Sequence, residues 1–256
     1  INNNFIKEID TSNTSNKTLL ETDVCIVGAG IFGLTCAYYL SNLGYRVTVL
    51  EKDKIGEKTT GNTTAKITSQ HGLFYSYLAN SYSQKFAQDY LEANEQAIKN
   101  IKNIIDKEKI KCDFEYKNSY VYTTKKEDLK FIKKEQKAIE NLGFNCEYVT
   151  KTGLPFEIEG AICFKNQAQF HPLKYLNGLC HCITKNNNEI YTNSTVFDVQ
   201  KENDFYITFS NNFNVKSKYV IVATHYPFIN FPGFYFAKMY QSTSYLIAVD
   251  TKKNII

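Results

Sequence analysis

The chain has 256 residues, of which 43% are hydrophobic and 22% charged, with a net charge of +4. That is the make-up of an ordinary soluble globular protein, long enough for one large domain or two interleaved ones. Lysines alternate with Glu and Asp along the helical stretches, so the small positive excess reads as solvated helix faces and excludes a nucleic-acid surface.

In chain order, residues 1–20 are rich in Asn, Thr and Ser and read as an arm leading into the first strand. They lack the apolar core of a signal peptide, and no apolar run in the chain approaches the ~20 residues of a membrane span. The chain starts at Ile1 and its single methionine is Met239, which suggests a piece of a longer gene product. The segment Asp23-Val24-Cys25-Ile26-Val27-Gly28-Ala29-Gly30-Ile31-Phe32-Gly33 then reads as a buried strand, a glycine turn and a helix start. Gly28 permits the tight turn, Gly30 lets backbone approach a pyrophosphate, and Gly33 lets the helix lie close to the strand. The free N–H groups and positive dipole end of that helix suit phosphates. Arg46 to Leu50 supply a second strand, and Glu51 follows 23 residues after Gly28. That is close to the ~20 expected for an acid that holds a ribose hydroxyl. An acid here favours a free 2′-hydroxyl, hence FAD or NAD over NADP. A strand before the glycines, a helix after them and an answering acid make this more specific than a bare GxGxxG.

A polar loop, 52–58, leads into Thr59 to Gly72, crowded with small hydroxyl and amide side chains able to surround a polar ligand. Residues 74–110 are expected to be mostly helical, with Phe86, Tyr90, Ala93, Ala97, Ile101 and Ile104 forming an apolar core stripe. Strand alternation marks Cys112 to Thr124. A charged helix follows from Lys126 to Asn141, ended by Leu142-Gly143, then strands near 146–149 and 160–164. Pro172 sits where a helix can begin; His171 reads as a helix-start residue, or else a base, and His71 as the histidine better placed for a ligand. Short strands are expected at 189–191, 194–200, 205–209 and 213–216. Residues 218–224 read as a further buried parallel strand, whose carboxyl end puts Ala223, Thr224 and His225 near a ligand. A new aromatic, alternating region is expected over 234–250.

The seven cysteines include no CxxC, and several fall in apolar strands or helices, so they read as buried free thiols in a reducing, cytoplasmic compartment. Cys180-His181-Cys182 lies on a predicted helix, where adjacent residues face different ways, so no metal site is expected. Arg46 is the chain's single arginine.

Gly28 to Gly33, Glu51-Lys52, the loop Thr60-Gly61-Asn62-Thr63-Thr64-Ala65-Lys66 and the strand ending Val220 to Thr224 together resemble the FAD-dependent amine and amino-acid oxidoreductases of the D-amino-acid oxidase and glycine oxidase type. The resemblance is to the N-terminal portion, in a clostridial-type branch; some of its members carry a Rieske iron–sulfur domain. It implies an α/β fold: a Rossmann-like FAD-binding domain on a parallel sheet, interleaved with an α+β substrate domain on an antiparallel sheet and truncated at its C-terminus. The implied division is 21–75 and 150–225 for FAD, with 76–149 and 226–256 for substrate. The implied cofactor contacts are Gly28, Gly30, Ile31, Phe32, Gly33, Glu51, Lys52, Thr60, Asn62, Thr63, Thr64, Lys66, Val196, Ala223 and Thr224, with Lys66 and His71 as flavin-proximal candidates. His225 stands where that pattern usually has glycine.

The expected chemistry is oxidation of a C–N bond of an amine or amino acid by hydride transfer to flavin N5. An NAD-dependent dehydrogenase and a non-catalytic flavin-binding remnant are the alternatives.

Overall fold

The structure, a computed structural model, describes Lys7, residues 18–245 and Ile247. Its elements in order are β1 (Leu19–Val27), α1 (Ile31–Asn42), β2 (Val47–Leu50), β3 (Lys66–Ile67), α2 (Tyr75–Ser81), α3 (Gln84–Glu108), β4 (Glu115–Thr123), α4 (Leu129–Asn141), β5 (Glu147–Val149), β6 (Gly160–Gln169), α5 (Pro172–Lys185), β7 (Glu189–Tyr191), β8 (Val196–Glu202), β9 (Phe205–Ser210) and β10 (Asn214–Val222). They form two compact units. The first runs up to Thr64 and adds 110–112 and 171–243; the second holds 65–109, 113–170 and the last described residues.

In the first unit a six-stranded sheet has the order β7-β2-β1-β10-β9-β8. β7, β2, β1 and β10 are parallel neighbours, and β10-β9-β8 turn back antiparallel. Val24 to Val27 and all four residues of β2 are buried, including Thr48. Burial on both faces is why these strands read as unbroken apolar runs. α5 begins as expected, with Pro172 in its first turn and the His171 side chain accepting from the Lys174 N–H. Its buried Tyr175, Leu176, Leu179, Cys180 and Ile183 form one stripe, and it packs along α1. A Cβ on Gly178 would lie 2.5 Å from Ile110 Cγ2, so the missing side chain makes room for the short 110–112 segment. The two strands expected at 213–216 and 218–224 are one continuous strand, β10. Its first half pairs with β9 and its whole length with β1, which leaves no break between them.

The second unit is built on antiparallel strands in the order β3-β6-β4, with β5 also on β6. α2, α3 and α4 accompany it, around a core of Tyr75, Leu91, Ile132, Ile139, Cys146, Ile162 and Phe164. Buried Glu135 accepts the N–H groups of Tyr75 (2.6 Å) and Ser76 (2.8 Å), so α4 caps the start of α2. On β4 the covered side carries Val121 and Thr123, while Tyr116, Tyr120 and Tyr122 are exposed.

Three expectations need correction. The stripe expected on α3 is only partly the buried one: Ile104 is buried and Tyr90 packs on the core, but Phe86 is 47% exposed, Ala93 and Ala97 are exposed, and the buried set is Ala87, Leu91, Ile98, Ile104 and Ile105. A helix of this length offers two adjacent apolar rows. The one turned inward also carries Glu95, which accepts from Ser69 Oγ and from Gln167 Nε2 at 3.1 Å. β6 runs on through 165–169 in the antiparallel sheet, so 150–170 belong to the second unit, whereas the expected boundary placed 150–225 together; residues 65–75 also join it, where β3 pairs with β6, and 226–243 belong to the first unit instead of the expected substrate domain. The described part of 234–250 contains a single 3-10 turn, Tyr235–Ala237, in place of strand alternation, and residues 246 and 248–250 lie outside the described set.

Candidate functional site

The first unit holds a cavity of about 870 Å³ at the carboxyl ends of β1, β2 and β10. The glycine turn forms one side. Gly28 has φ +110°, and a Cβ there would stand 2.7 Å from the Ala223 carbonyl oxygen. A Cβ on Gly30 would come 3.3 Å from Thr60 Oγ1, and one on Gly33 would lie 2.0 Å from the Gly28 carbonyl oxygen. Backbone thus fills the space that any side chain at 28 or 33 would need. α1 begins at Ile31 with Gly30 as its N-cap, no side-chain cap and no acidic residue in its first turn. Its first N–H groups and positive dipole end are left for an anion.

Glu51 stands at the end of β2. Its Oε2 accepts the Ala29 N–H at 2.7 Å and its Oε1 the Asp53 N–H at 3.1 Å. Its own backbone is fixed by bonds to Tyr191 and Ser194, each 2.8 Å. A carboxylate has about four acceptor sites, so this one keeps capacity for hydroxyls while the protein holds its orientation. At the end of β10, Thr224 Oγ1 is buried with no hydrogen-bond partner among the described residues. Such a hydroxyl costs free energy unless a ligand or water satisfies it.

Of the expected cofactor contacts, Gly28, Gly30, Ile31, Phe32, Glu51, Lys52, Thr60, Val196, Ala223 and Thr224 line the cavity. Gly33 lies beneath it, packed on the turn. Asn62 is not among the lining residues; its amide donates to the Glu57 and Lys58 carbonyls and closes the loop. Thr63 and Thr64 are exposed and also outside the lining. Lys66 and His71 belong to the second unit, Lys66 exposed on β3 and His71 with its Nε2 3.4 Å from Asn94 Oδ1 and its ring against Tyr90. Asp53, Lys58, Ser194, Thr195, Tyr226 and Phe228 also line the cavity without having been singled out. Lys58 arrives through the turn around Gly56 and Ser194 and Thr195 through the segment before β8, neither with a recognisable spacing, while Tyr226 and Phe228 simply continue the chain beyond β10.

The chain matches the DAO family, described as FAD dependent oxidoreductase, over residues 23–255. It belongs to that family. The match decides for FAD over NAD as the nucleotide of the glycine turn. The lining residues suit it: a turn that only glycine permits, an uncapped helix start, an oriented carboxylate and a buried hydroxyl without a partner. The chain is 35% identical over 232 residues, 91% of its length and 46% of the relative's, to a protein of Bacillus subtilis (strain 168) with the provisional name Rieske 2Fe-2S iron-sulfur protein YhfW. It is 26% identical over 220 residues to gamma-glutamylputrescine oxidoreductase of Escherichia coli (strain K12), covering 84% of this chain and 50% of that one. Its fold is similar to glycine oxidase from Geobacillus kaustophilus, with a TM-score of 0.67, 16% identity and coverage of 80% of this chain and 55% of the other. The chain therefore spans about half the length of the relatives it matches. Among the described residues no helix is long and apolar enough to cross a membrane.

Proposed function

We propose that this chain supplies the ADP-binding half of an FAD site in an enzyme that oxidises the C–N bond of an amine or amino acid. The observation that carries the reading is the Glu51 carboxylate, fixed by two backbone N–H donors beside a glycine turn that opens a helix. In this reading the N–H groups at the start of α1 receive the pyrophosphate, Glu51 accepts the ribose hydroxyls, and the backbone at Val196 lies against the adenine. Bound there, FAD supplies hydride acceptance, and the oxidised carbon leaves as an imine that water hydrolyses.

Lys66 and His71 are assigned to the flavin's surroundings, Lys66 to offset negative charge on a reduced ring. Arg46 is 3.6 Å from Asp23 at the start of β2 and is the only arginine in the sequence. Within this chain a substrate carboxylate therefore has no free guanidinium to meet, which favours an amine or recognition by residues of a longer polypeptide. The name of the Bacillus relative supports an iron–sulfur group as the electron acceptor in that longer protein.

The test is thermal unfolding of the purified chain with FAD and with NADH, alongside its visible absorbance. Binding to the native state stabilises by about 2.7 kcal/mol at a ligand concentration 100 times Kd. FAD should raise Tm and the pure protein should carry flavin absorbance. A rise with NADH and none with FAD overturns the proposal.

A further inference from the structure

The cavity wall formed by β10 carries a side chain that the family pattern does not provide. β10 lies parallel to β1, and the Ala223 N–H donates to the Val27 carbonyl at 2.8 Å. The Ala223 carbonyl oxygen is the atom a Cβ on Gly28 would strike. The residues next along the chain, Thr224 and His225, therefore line the same cavity as Ile31 and Phe32 of the first turn of α1. From this wall the lining side chains are Val222, Ala223, Thr224, His225, Tyr226 and Phe228, and His225 alone among them can carry positive charge. Thr224 Oγ1 beside it is buried and unpartnered among the described residues.

The other lining segment, 51–58, carries the cations Lys52, Lys54 and Lys58, of which Lys58 is 3.4 Å from Asp53. Its Glu51 takes two N–H donors, and the Glu57 carboxylate accepts the backbone N–H of Lys54. The first turn of α1 offers only backbone donors, since Ile31, Phe32, Gly33 and Leu34 carry no charge. A pyrophosphate at this helix end would thus receive N–H groups from one side and no side-chain cation from that side. A glycine at 225 would leave the β10 side equally bare.

We propose that His225, with the Thr224 hydroxyl, binds a phosphate of the FAD pyrophosphate from the β10 side, opposite the N-terminus of α1. This rests on the FAD reading of the same cavity. It makes the affinity of this chain depend on the phosphate group more than a glycine at 225 would allow, because a charge-assisted hydrogen bond is roughly twice as strong as a neutral one.

The experiment is calorimetric titration of the whole chain and of His225→Ala and His225→Gln with FAD, ADP and adenosine. His225 is exposed, so both variants should unfold at the same temperature as the parent without ligand. The expected result is about tenfold weaker binding of FAD and ADP by His225→Ala. Adenosine binding should be unchanged, and His225→Gln, which keeps a donor without the charge, should fall between. Parent and His225→Ala binding ADP equally overturns the inference and leaves the FAD reading intact. An equal loss for ADP and adenosine also overturns it, since the side chain would then act on the nucleoside. A parent chain that binds neither FAD nor ADP overturns both.

Discussion

The two units bury their sheets in different ways. In the first, the second half of β1 (Val24 to Val27) and all of β2 are covered on both faces, and their contacts are between neighbours of an apolar run. In the second, β4 has one covered side and one exposed row of tyrosines, and the packing depends on polar groups brought from far along the chain. Gln167 Oε1 accepts the Ser69 N–H (2.7 Å) and the Thr68 hydroxyl (2.9 Å), and Glu135 reaches 59 and 60 residues back to Ser76 and Tyr75. The glycine turn of the first unit is specified by backbone fit, and the start of α2 and residues 68–69 of the second by side-chain hydrogen bonds; the first unit also uses such a bond, where Asn188 Oδ1 accepts the Val47 N–H at 2.6 Å. A change of volume should therefore hurt the first most, and a change of polarity the second.

The largest effect is expected at Gly33. A side chain there meets the Gly28 carbonyl oxygen, which is backbone and cannot swing aside. Gly33→Val should cost about 4 kcal/mol or more and abolish FAD binding, read as the urea midpoint followed by circular dichroism. A midpoint within error of the parent would mean that α1 can slide off β1 without loss. Next comes Glu135→Ala. It leaves two N–H groups at the start of α2 without their acceptor in a buried place, a loss of about 3 kcal/mol. The same change at Glu51 should cost under ~1 kcal/mol of unfolding free energy. That carboxylate is only half-buried, and water can replace it at Ala29 and Asp53. Its effect is expected on the cofactor: about tenfold weaker FAD binding or worse, from the lost hydrogen bonds to a charged acceptor.

That contrast also explains what could be read from the sequence. The glycine turn, α1, β2 and Glu51 were legible because their geometry is set by spacing within 30 residues, and each glycine has a steric reason that any side chain would violate. β7, the start of α5 at Pro172 and the end of α4 at Gly143 were legible for the same local reason. The exact buried set of α3 was not. The inward side carries Glu95, which meets Ser69 and Gln167, and nothing in the spacing of Phe86, Ala93 and Ala97 announces that Ala87, Leu91 and Ile98 are the buried residues. The extension of β6 through Asn166, at φ +56°, was hidden likewise: the register shift between Lys117 and Ser119 on β4 absorbs it. At the cavity, Ser194 and Thr195 arrive from the segment between β7 and β8, which leaves no periodic signal.

The smallest effect separates the units by their thiols. Burial pushes Cys25 of β1 from 9.0 up to about 12. Burial, with repulsion from Glu140 next, pushes Cys146 of the second unit up to about 11. A thiol whose folded value is raised stays neutral in the native state while the unfolded chain ionises. The stability it lends is complete below the unfolded value near 9 and is lost as pH rises toward the folded one. At pH 10 each cysteine should have given up about 1 kcal/mol. Cys25→Ala and Cys146→Ala will lower stability at every pH through the space they empty, so the informative quantity is the slope of the urea midpoint between pH 8 and pH 12, the span that brackets both shifted values. Removing Cys25 should flatten that slope up to about pH 12, whereas removing Cys146 should flatten it only to about pH 11. Equal slopes in parent and Cys25→Ala would show that β1 admits water to its thiol, and with it that the doubly covered sheet of the first unit is looser than its apolar run implies.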